Sequence, residues 1–475
     1  MHGSARPSNQ ETERRAFLFV NERSMREQKE CYVRHGTLPD GKVKDSVCLE
    51  KIVSSVTRQI RFIDLFAGCG GLSEGFIQAG YTPVAHVEMD KAACFTLKTR
   101  SAFHWLCANK LERKYDKYLT GKISRDTLYA QVPKEILDTV INQEIGDDSL
   151  PTLFAQIDSL AHGEAVDLIV GGPPCQAYSL IGRAKDANGM KGDERNYLFR
   201  YYAKFLERYS PKFFVFENVL GLLSAKEESG TRYLDMMLNE FKRLGYQTTY
   251  EILNAEEYGV PQKRKRIILI GKKDTEPFEF PVIQKTPYEF TVGDMLANLP
   301  HLVNGDSAVP FKAKGRKRQA LQDTRVGDSQ FHITQHAARP HIKHDLEIYK
   351  RVVKLWDRDK VRLSYETLPE SLRTHNNVKS FLDRFKVVAS DLSCCHTVVA
   401  HIARDGHYYI HPDIEQNRSL SVREAARLQT FPDNYYFEGT KERQFRTAAF
   451  RQIGNAVPVL LAYRIAETLK ENWHE

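Results

Sequence analysis

Phe62 to Ile77 reads FIDLFAGCGGLSEGFI, and the predicted fold is inferred first from this pattern. Phe62–Phe66 is apolar and typical of a strand, Ala67–Gly71 is a glycine turn, and Leu72–Ile77 begins a helix. A strand, a glycine turn and a helix in succession form the nucleotide-binding unit of an open α/β sheet. The turn lacks both the dinucleotide fingerprint and the Lys-Ser/Thr pair of a phosphate-binding loop, so it predicts no strong phosphate cradle.

An acidic residue ends the next predicted strand. Pro83–Val87 leads into Glu88-Met89-Asp90. An acid at this position can accept hydrogen bonds from two ribose hydroxyls. The glycine turn alone fits a doubly wound domain without a ligand equally well, but the acid favours a bound adenosine-type nucleoside. S-adenosylmethionine meets that description.

A cysteine follows two prolines at the end of another predicted strand. The apolar run Val166–Val170 is followed by Gly171-Gly172-Pro173-Pro174-Cys175-Gln176, which cannot continue the strand. Ligands of open α/β sheets bind at the carboxyl ends of the strands, and a thiol held there in a stiff turn is typical of a nucleophile. Taken alone, Cys175 also fits an ordinary loop thiol.

Two more polar clusters lie at predicted strand ends. Phe213–Phe216 ends in Glu217-Asn218-Val219, and Gln262-Lys263-Arg264-Lys265-Arg266 precedes the strand Ile267–Ile270. By themselves these residues fit a helix-start carboxylate and a solvated basic edge. Their positions predict that Glu217 and the arginines meet the cysteine at one edge of a sheet.

Composition sets limits on the class of protein. The 475 residues contain 69 Lys and Arg against 61 Asp and Glu, a net charge of +8 that suits a nucleic-acid partner. No apolar stretch is long enough for a membrane span, and the polar segment Met1–Arg15 has no signal core. The eight cysteines lack CxxC pairs and zinc spacing, so we expect free thiols, a cytoplasmic location and no metal.

Six blocks, taken together and in this order, resemble the DNA (cytosine-5)-methyltransferases of bacterial restriction-modification systems. The blocks are Asp64–Gly71, Glu88–Asp90, Gly172–Gln176, Glu217–Val219, Gln262–Arg266, and the late pair Arg418–Pro432 and Arg451–Pro458. The resemblance runs from about residue 60 to the end. It implies the S-adenosylmethionine-dependent methyltransferase fold, an α/β architecture with a doubly wound mixed sheet, and a second, smaller domain for target recognition.

The same resemblance divides the chain into segments. We expect an N-terminal extension at 1–58, for which a partly ordered tail is an equally good interpretation, and a catalytic domain at 59–271 with a charged helical insertion at 98–152. The α/β rhythm is lost after Gly271, so 272–417 is assigned to target recognition, and 418–475 returns to the catalytic domain.

The family's chemistry implies roles for four residues. Cys175 forms a covalent bond to a cytosine flipped out of the duplex, which then takes the methyl group at carbon 5. Glu217, in its protonated form, donates to ring nitrogen 3 of the base. Arg266 holds the carbonyl oxygen of the base, and Arg264 supports the same pocket.

The implied cofactor contacts come from several blocks. They are Asp64, Phe66, Gly68, Gly70, Gly71, Glu88, Met89, Asp158 and Asn455. Phe66 is expected on the adenine, Glu88 on the ribose, and Asn455 near the methionine end. The family places Asp-Ile at the end of its third strand, where this chain has Gln156-Ile157 and then Asp158, so the adenine contact is open between Gln156 and Asp158.

The implied partner is double-stranded DNA. The expected DNA contacts are Gln176, Arg183, Lys312, Lys314, Arg316, Lys317 and Arg318. The segment Gln176–Arg195 is expected to close over the duplex, and the basic run Lys312–Arg318 to bind phosphates rather than bases. We also expect a monomer that is nucleoid-associated through DNA and is functionally paired with a restriction endonuclease.

Two rival interpretations remain at this point. RNA cytosine methyltransferases carry similar motifs but a reduced recognition region, and the long 272–417 segment favours DNA. A binding protein on an inactive scaffold would have lost the cysteine or the glutamate, and both Cys175 and Glu217 are present.

Overall fold

A mixed sheet of seven strands forms the centre of the computed structural model, which describes residues 59–174, 197–286, 289–313, 318–327, 330–375 and 377–473. The strands are β1 (Arg61–Leu65), β2 (Thr82–Glu88), β3 (Val140–Asn142), β4 (Leu168–Gly171), β5 (Phe213–Asn218), β6 (Tyr246–Asn254) and β7 (Lys265–Lys273). Their order is β3-β2-β1-β4-β5-β7-β6. Only β7 runs antiparallel to its neighbours, so the predicted doubly wound mixed sheet is confirmed.

Helices cover both faces of the sheet and make up the rest of the regular structure. The helices are α1 (Gly71–Gln78), α2 (Lys91–Ala108), α3 (Glu112–Leu119), α4 (Arg125–Tyr129), α5 (Lys134–Asp138), α6 (Leu150–Ala161), α7 (Leu198–Tyr209), α8 (Tyr233–Arg243), α9 (Val292–Leu296), α10 (Gln319–Asp323), α11 (Lys343–Asp359), α12 (Val378–Phe381), α13 (Val422–Leu428), α14 (Arg446–Asn455) and α15 (Val459–Glu471). Within the described ranges, no helix is long and apolar enough to cross a membrane.

The alternation of side chains along each strand builds two cores. Ile63 of β1 packs with α6, α7 and α8 on one face, whereas Phe62 packs with α1 and α15 on the other. Consecutive strand residues point to opposite faces, so a strand buried on both sides must be apolar throughout, as β4 is. Because β1 lies between β2 and β4, the chain reverses direction across the sheet there, and ligands of such sheets bind at that point.

The predicted insertion at 98–152 holds more than helices. It contains the end of α2, the short helices α3, α4 and α5, and also the third strand. β3 is only Val-Ile-Asn, which is too short to give a strand pattern in the sequence. The placement of Gln156–Asp158 at the third strand end is therefore wrong. These residues lie in α6, whose buried positions Leu150, Leu153, Ile157 and Ala161 follow helical spacing.

The region 272–417 has fewer regular elements and two kinds of core. Residues between Ile348 and Ile410 form a small cluster of their own. Residues nearer the start of the region, such as Val292 and Leu321, pack instead with α13 and α14. The predicted domain boundaries stay predictions, and the N-terminal extension 1–58 lies outside the described residues.

The last segment packs back onto the first βα unit. An added Cβ atom on Gly75 of α1 would lie 2.5 Å from the Cβ of Ala462 in α15, so the two helices touch at their backbones. α13 begins with a capping box: Glu424 N donates to Ser421 Oγ (3.2 Å), and Ser421 N donates to Glu424 Oε2 (2.7 Å). The apolar residues of α15 join the core on the α1 face of the sheet.

Candidate active site

The glycine turn after β1 is shaped by left-handed backbone and by the end of the chain. Phe66, Gly68 and Gly70 have φ values of 57°, 56° and 84°. An added Cβ on Gly71 would lie 2.4 Å from the carbonyl oxygen of Val457, so glycine is needed there for contact with the protein's own backbone. An added Cβ on Gly68 would meet nothing within 4 Å. The turn is therefore closed on the Gly71 side and open beside Gly68.

Glu88 joins this turn to the end of β2. Its Oε2 accepts a hydrogen bond from Gly68 N (2.8 Å), and its Oε1 accepts one from Asp90 N (2.7 Å). Burial raises the pKa of the Glu88 carboxyl, and the two N–H donors oppose that shift. The neighbouring Met89 side chain is 59% exposed. The predicted acid thus lies beside the open part of the glycine turn.

The end of β3, which the sequence did not reveal, lies beside Glu88. Asn142 Nδ2 donates to the carbonyl oxygens of Glu88 (3.1 Å) and Met89 (3.0 Å). Asp158, by contrast, lies on the surface of α6, forms an ion pair with Arg208, and accepts a hydrogen bond from Tyr209 (3.1 Å). The predicted cofactor contact of Asp158 is corrected, because a helix position takes the place of the expected strand end.

Beneath the turn lies a buried layer of charged side chains. Asp64 is buried and accepts a hydrogen bond from Ser73 Oγ, and burial raises the pKa of its carboxyl to about 7. Arg100 donates to both oxygens of Glu74, at 2.9 and 2.6 Å, and these interactions hold the pKa of Glu74 well below its usual range despite burial. Sequence reasoning missed the Glu74–Arg100 pair, because the partners come from different helices.

The cysteine block begins against Glu217 and Asn218. Asn218 Nδ2 donates to the carbonyl oxygen of Pro173 (3.3 Å), and an added Cβ on Gly172 would lie 2.7 Å from Glu217 Oε2. The described residues break off at Pro174 and resume at Tyr197, so the predicted residues Cys175, Gln176 and Arg183 lie outside them. The end of β5 therefore fixes the backbone two residues before the predicted nucleophile.

Glu217 and Arg266 are brought together as the strand-end argument predicts. Arg266 Nε lies 2.6 Å from Glu217 Oε1, and the two side chains are only 13% and 16% exposed. In the antiparallel pairing of β5 with β7, these residues lie at the same end of the sheet. The pair leaves Oε2 of Glu217 on the side of Gly172.

Arg264 is buried and contacts backbone on two other segments. Its Nη1 donates to the Val398 carbonyl (2.7 Å) and its Nη2 to the Gly454 carbonyl (3.3 Å). The buried Gln262 accepts from Val398 N (3.0 Å). These contacts give Arg264 a positioning role between β7, the recognition region and α14. Its predicted support of the base pocket stays a prediction.

The remaining predicted residues lie at the edges of this site or outside the description. Asn455 is exposed at the last residue of α14, just before the residues that pack on Gly71. Lys312 is exposed, and Arg318 lies 3.8 Å from Asp294. Lys314, Arg316 and Lys317 fall outside the described residues.

Comparison with known proteins matches the chain to one family and to several relatives. The profile of a family described as C-5 cytosine-specific DNA methylase matches residues 60–133 and 144–471. The chain is 41% identical over 446 residues to the Type II methyltransferase M.Bpa9945I of Bacillus paralicheniformis, covering 86% of this chain and 98% of that protein. It is 32% identical over 418 residues to the Type II methyltransferase M1.HphI of Haemophilus parahaemolyticus, covering 88% of each.

A solved structure supports the fold. It belongs to a protein encoded within an E. coli prophage and named as a DNA modification methyltransferase. The TM-score is 0.58 at 21% sequence identity, and the match covers 88% of this chain and all of the other. At that identity the likeness concerns the architecture alone.

Proposed function

The chain belongs to the C-5 cytosine-specific DNA methylases, of the type that accompanies Type II restriction enzymes, and we propose that it methylates a flipped-out cytosine through a covalent bond to Cys175. The observation that carries this proposal is the meeting of three features at one sheet edge. These are the open glycine turn with Glu88, the start of the cysteine block, and the Glu217–Arg266 pair.

The methyl donor is S-adenosylmethionine, which supplies an electrophilic methyl group when bound. Glu88 has the lone pairs to hold a ribose in addition to its two backbone donors, since a carboxylate offers about four acceptor positions. The space beside Gly68 lets a ligand approach the backbone. Asn142 at the end of β3 bonds the Glu88 carbonyl, which supports a contact between this strand end, rather than Asp158, and the base of the nucleoside.

The cytosine is held and activated at the ends of β4, β5 and β7, on the same sheet edge as the glycine turn. The Cys175 thiolate adds to carbon 6, carbon 5 takes the methyl group, and loss of the proton from carbon 5 allows the sulfur to leave. Glu217 Oε2 faces the start of the cysteine block, so it is the oxygen suited to bonding ring nitrogen 3. Arg266, held by Glu217 Oε1, is suited to the carbonyl oxygen of the base.

The base reaches this site only after leaving the duplex, at a cost of about a few kcal/mol. Lys312 and Arg318 bracket the basic run and are proposed to bind phosphates, which carry affinity without sequence information. The methylated sites would be protected from a cognate restriction endonuclease.

Covalent capture tests the proposal. Bisulfite sequencing of plasmid from cells that express the chain first identifies the methylated site. A duplex with 5-fluorocytosine at that site should then trap the full-length protein in the presence of S-adenosylmethionine, because fluorine cannot leave as the proton does. The adduct is detected on a denaturing gel.

The matched control exchanges a different cysteine. Cys107→Ser should form the adduct in full, whereas Cys175→Ser should form none. Adduct formation by Cys175→Ser, or the absence of 5-methylcytosine in the plasmid, would contradict the proposal.

A further inference from the structure

Two histidines and an aspartate converge in the recognition region, away from the sheet edge. His341 lies just before α11, Asp345 is in the first turn of that helix, and His407 lies in a loop much later in the chain. Their potential ligand atoms all lie within 4.8 Å of one another, and all three residues are partly buried. The methyl transfer proposed above uses none of them.

The first imidazole is fixed in position and orientation. Its backbone is bonded on both sides by Asn304: His341 N donates to Oδ1 (2.7 Å), and Asn304 Nδ2 donates to the His341 carbonyl (2.9 Å). Its Nε2 lies 2.8 Å from Ser419 Oγ. A proton on Nε2 leaves the lone pair on Nδ1, which is the arrangement that outer hydrogen bonds give to metal-binding histidines.

The second imidazole is held by neighbours of a similar kind. His407 N donates to Asp405 Oδ1 (3.1 Å), and its Nδ1 lies 2.8 Å from the Tyr349 hydroxyl. The same hydroxyl is 3.3 Å from Nδ1 of His341. The Tyr349 hydroxyl therefore lies beside both Nδ1 atoms, and it would give up these hydrogen bonds when a metal binds.

The Asp345 carboxylate lies 3.7 Å from His344 Nδ1, which is beyond hydrogen-bond distance, and among the described residues it is not paired with a nearby arginine. Arg384 is paired with Asp405, and Arg339 donates to the carbonyl oxygens of Ile402 (3.0 Å) and Ala403 (2.9 Å). Both nearby guanidinium groups are thus engaged elsewhere. Two imidazoles and a carboxylate remain as neutral and anionic donors facing one point.

We propose that His341, Asp345 and His407 bind a divalent transition-metal ion of the Zn²⁺ class. Nitrogen and oxygen donors of this kind suit Zn²⁺, which takes three protein ligands and a water in open sites. Bonds near 2.0 Å place tetrahedral donors about 3.4 Å apart, so the ligand atoms, now within 4.8 Å, need to approach one another by up to about 1.4 Å. A bound metal ion would link the start of α11 to the loop at 405–407. This link would stabilise a region that has only a small hydrophobic core of its own.

Zinc uptake by the full-length protein tests this site. Protein dialysed against a chelator is titrated with ZnCl₂ by calorimetry, and bound zinc is counted after gel filtration. His407→Ala should take up one zinc fewer per chain than the wild type, and the near-isosteric Asp345→Asn should weaken the same site. Ser419→Ala, which removes only an outer hydrogen bond, should weaken it by roughly 10–100-fold.

Two further variants separate metal binding from hydrogen bonding and from folding. Tyr349→Phe removes the bridging hydroxyl but keeps all three ligands, so it should retain the zinc. His301→Ala changes an exposed imidazole of the same region outside the cluster and should also retain it. Because cysteines elsewhere in the chain can also bind zinc, the test compares the number of zinc ions bound by each variant with the number bound by the wild type. Equal uptake by wild type and His407→Ala, or no uptake by the wild type, would overturn the proposal.

Discussion

The Glu88 carboxylate bonds the backbone of the glycine turn, and in the proposed function its remaining lone pairs would hold a ribose. Glu88→Ala should weaken S-adenosylmethionine binding by about 10–100-fold, since a hydrogen bond to a charged group contributes roughly 1.5–3 kcal/mol. Calorimetric titration measures this. Asp158→Ala, on the surface of α6, should leave the affinity unchanged, and equal loss in the two variants would argue against the corrected placement.

Arg264 and Arg266 are two residues apart and should fail in different ways. Arg264→Met strands the buried carbonyls of Val398 and Gly454, and should lower the free energy of unfolding by about 2–4 kcal/mol in urea titrations. Arg266→Met should instead reduce single-turnover methylation by about 100-fold or more, because it removes a donor to the developing charge on the base. A large loss of stability with Arg266→Met and none with Arg264→Met would reverse these assignments.

At the level of residues, the sequence predicts the strand-end groups well and the buried layer poorly. Glu88 and Glu217 end parallel strands and Arg266 begins the antiparallel β7, so the three residues share one edge of the sheet. The Glu74–Arg100 pair has no such signal, since either residue alone fits a solvated helix face. Such pairings depend on how helices pack, which short-range patterns do not encode.

The contact between α1 and α15 makes a prediction at the level of elements. Gly75→Ala should lower the free energy of unfolding by about 1–3 kcal/mol, because its Cβ meets Ala462 and the Tyr463 backbone at 2.5 Å. This loss exceeds the better helix propensity of alanine, worth about 1 kcal/mol. Gly146→Ala is the matched control, since its added Cβ meets nothing within 4 Å. Thermal unfolding compares the two, and equal midpoints would contradict the close packing.

The tertiary contacts of the insertion 98–152 could not be predicted from its sequence. Its charge and helical character are evident in the sequence, but the residues that α3 and α4 contact are not. Asp116 bonds both N and Nδ1 of His332 (2.9 Å each), and Tyr118 donates to Glu438 (2.5 Å). Arg125 Nη1 donates to the carbonyl of Gly439 (3.1 Å). The insertion thereby connects α2 to the recognition region and to the segment between α13 and α14, contacts set by tertiary packing alone.

Buried titratable groups predict how the whole molecule responds to acid. Burial lowers the pKa values of His86, His336 and His396 to about 4. Between about pH 6.5 and 4 these histidines are therefore protonated in the unfolded chain but neutral in the folded chain, which lowers the stability of the folded state. Asp64 opposes this, because its folded pKa of about 7 lets the folded chain take up one proton first. Together these four groups should contribute a loss of about 2 kcal/mol in the free energy of unfolding from pH 6 to 5.

Urea titrations at the two pH values measure that slope. Asp64→Asn removes the opposing proton uptake, so its stability should fall more steeply with acid than that of the wild type. A slope that is flat, or that is reduced by Asp64→Asn, would mean that these groups titrate normally in the folded chain.

For the molecule as a whole, the sequence gives the sheet more readily than the recognition region. Most strands of the sheet are apolar runs that end at glycine, proline or charged residues, so each of these strands can be predicted from its own short stretch of sequence. The recognition region instead uses isolated bridges, such as Ser307 with Ala337 and Phe311 with Ile333, and shares part of its core with α13 and α14. A bridge between two single residues produces no periodic hydrophobic pattern in the sequence. Neither this core nor the histidine–aspartate cluster could therefore be predicted.

The packing of α15 on the first βα unit depends on residues that are made late in synthesis. Tyr81, just after α1, donates to the carbonyl of Ala466 (3.0 Å), and the Gly71 turn is covered by Val457. At about 5–20 residues per second, a ribosome needs roughly half a minute to a minute and a half to make these 475 residues. For most of that time the nascent chain lacks the backbone that covers Gly71. We therefore expect a fragment that ends before Val457 to leave the glycine turn uncovered and, on the proposed function, to bind S-adenosylmethionine more weakly than the full chain.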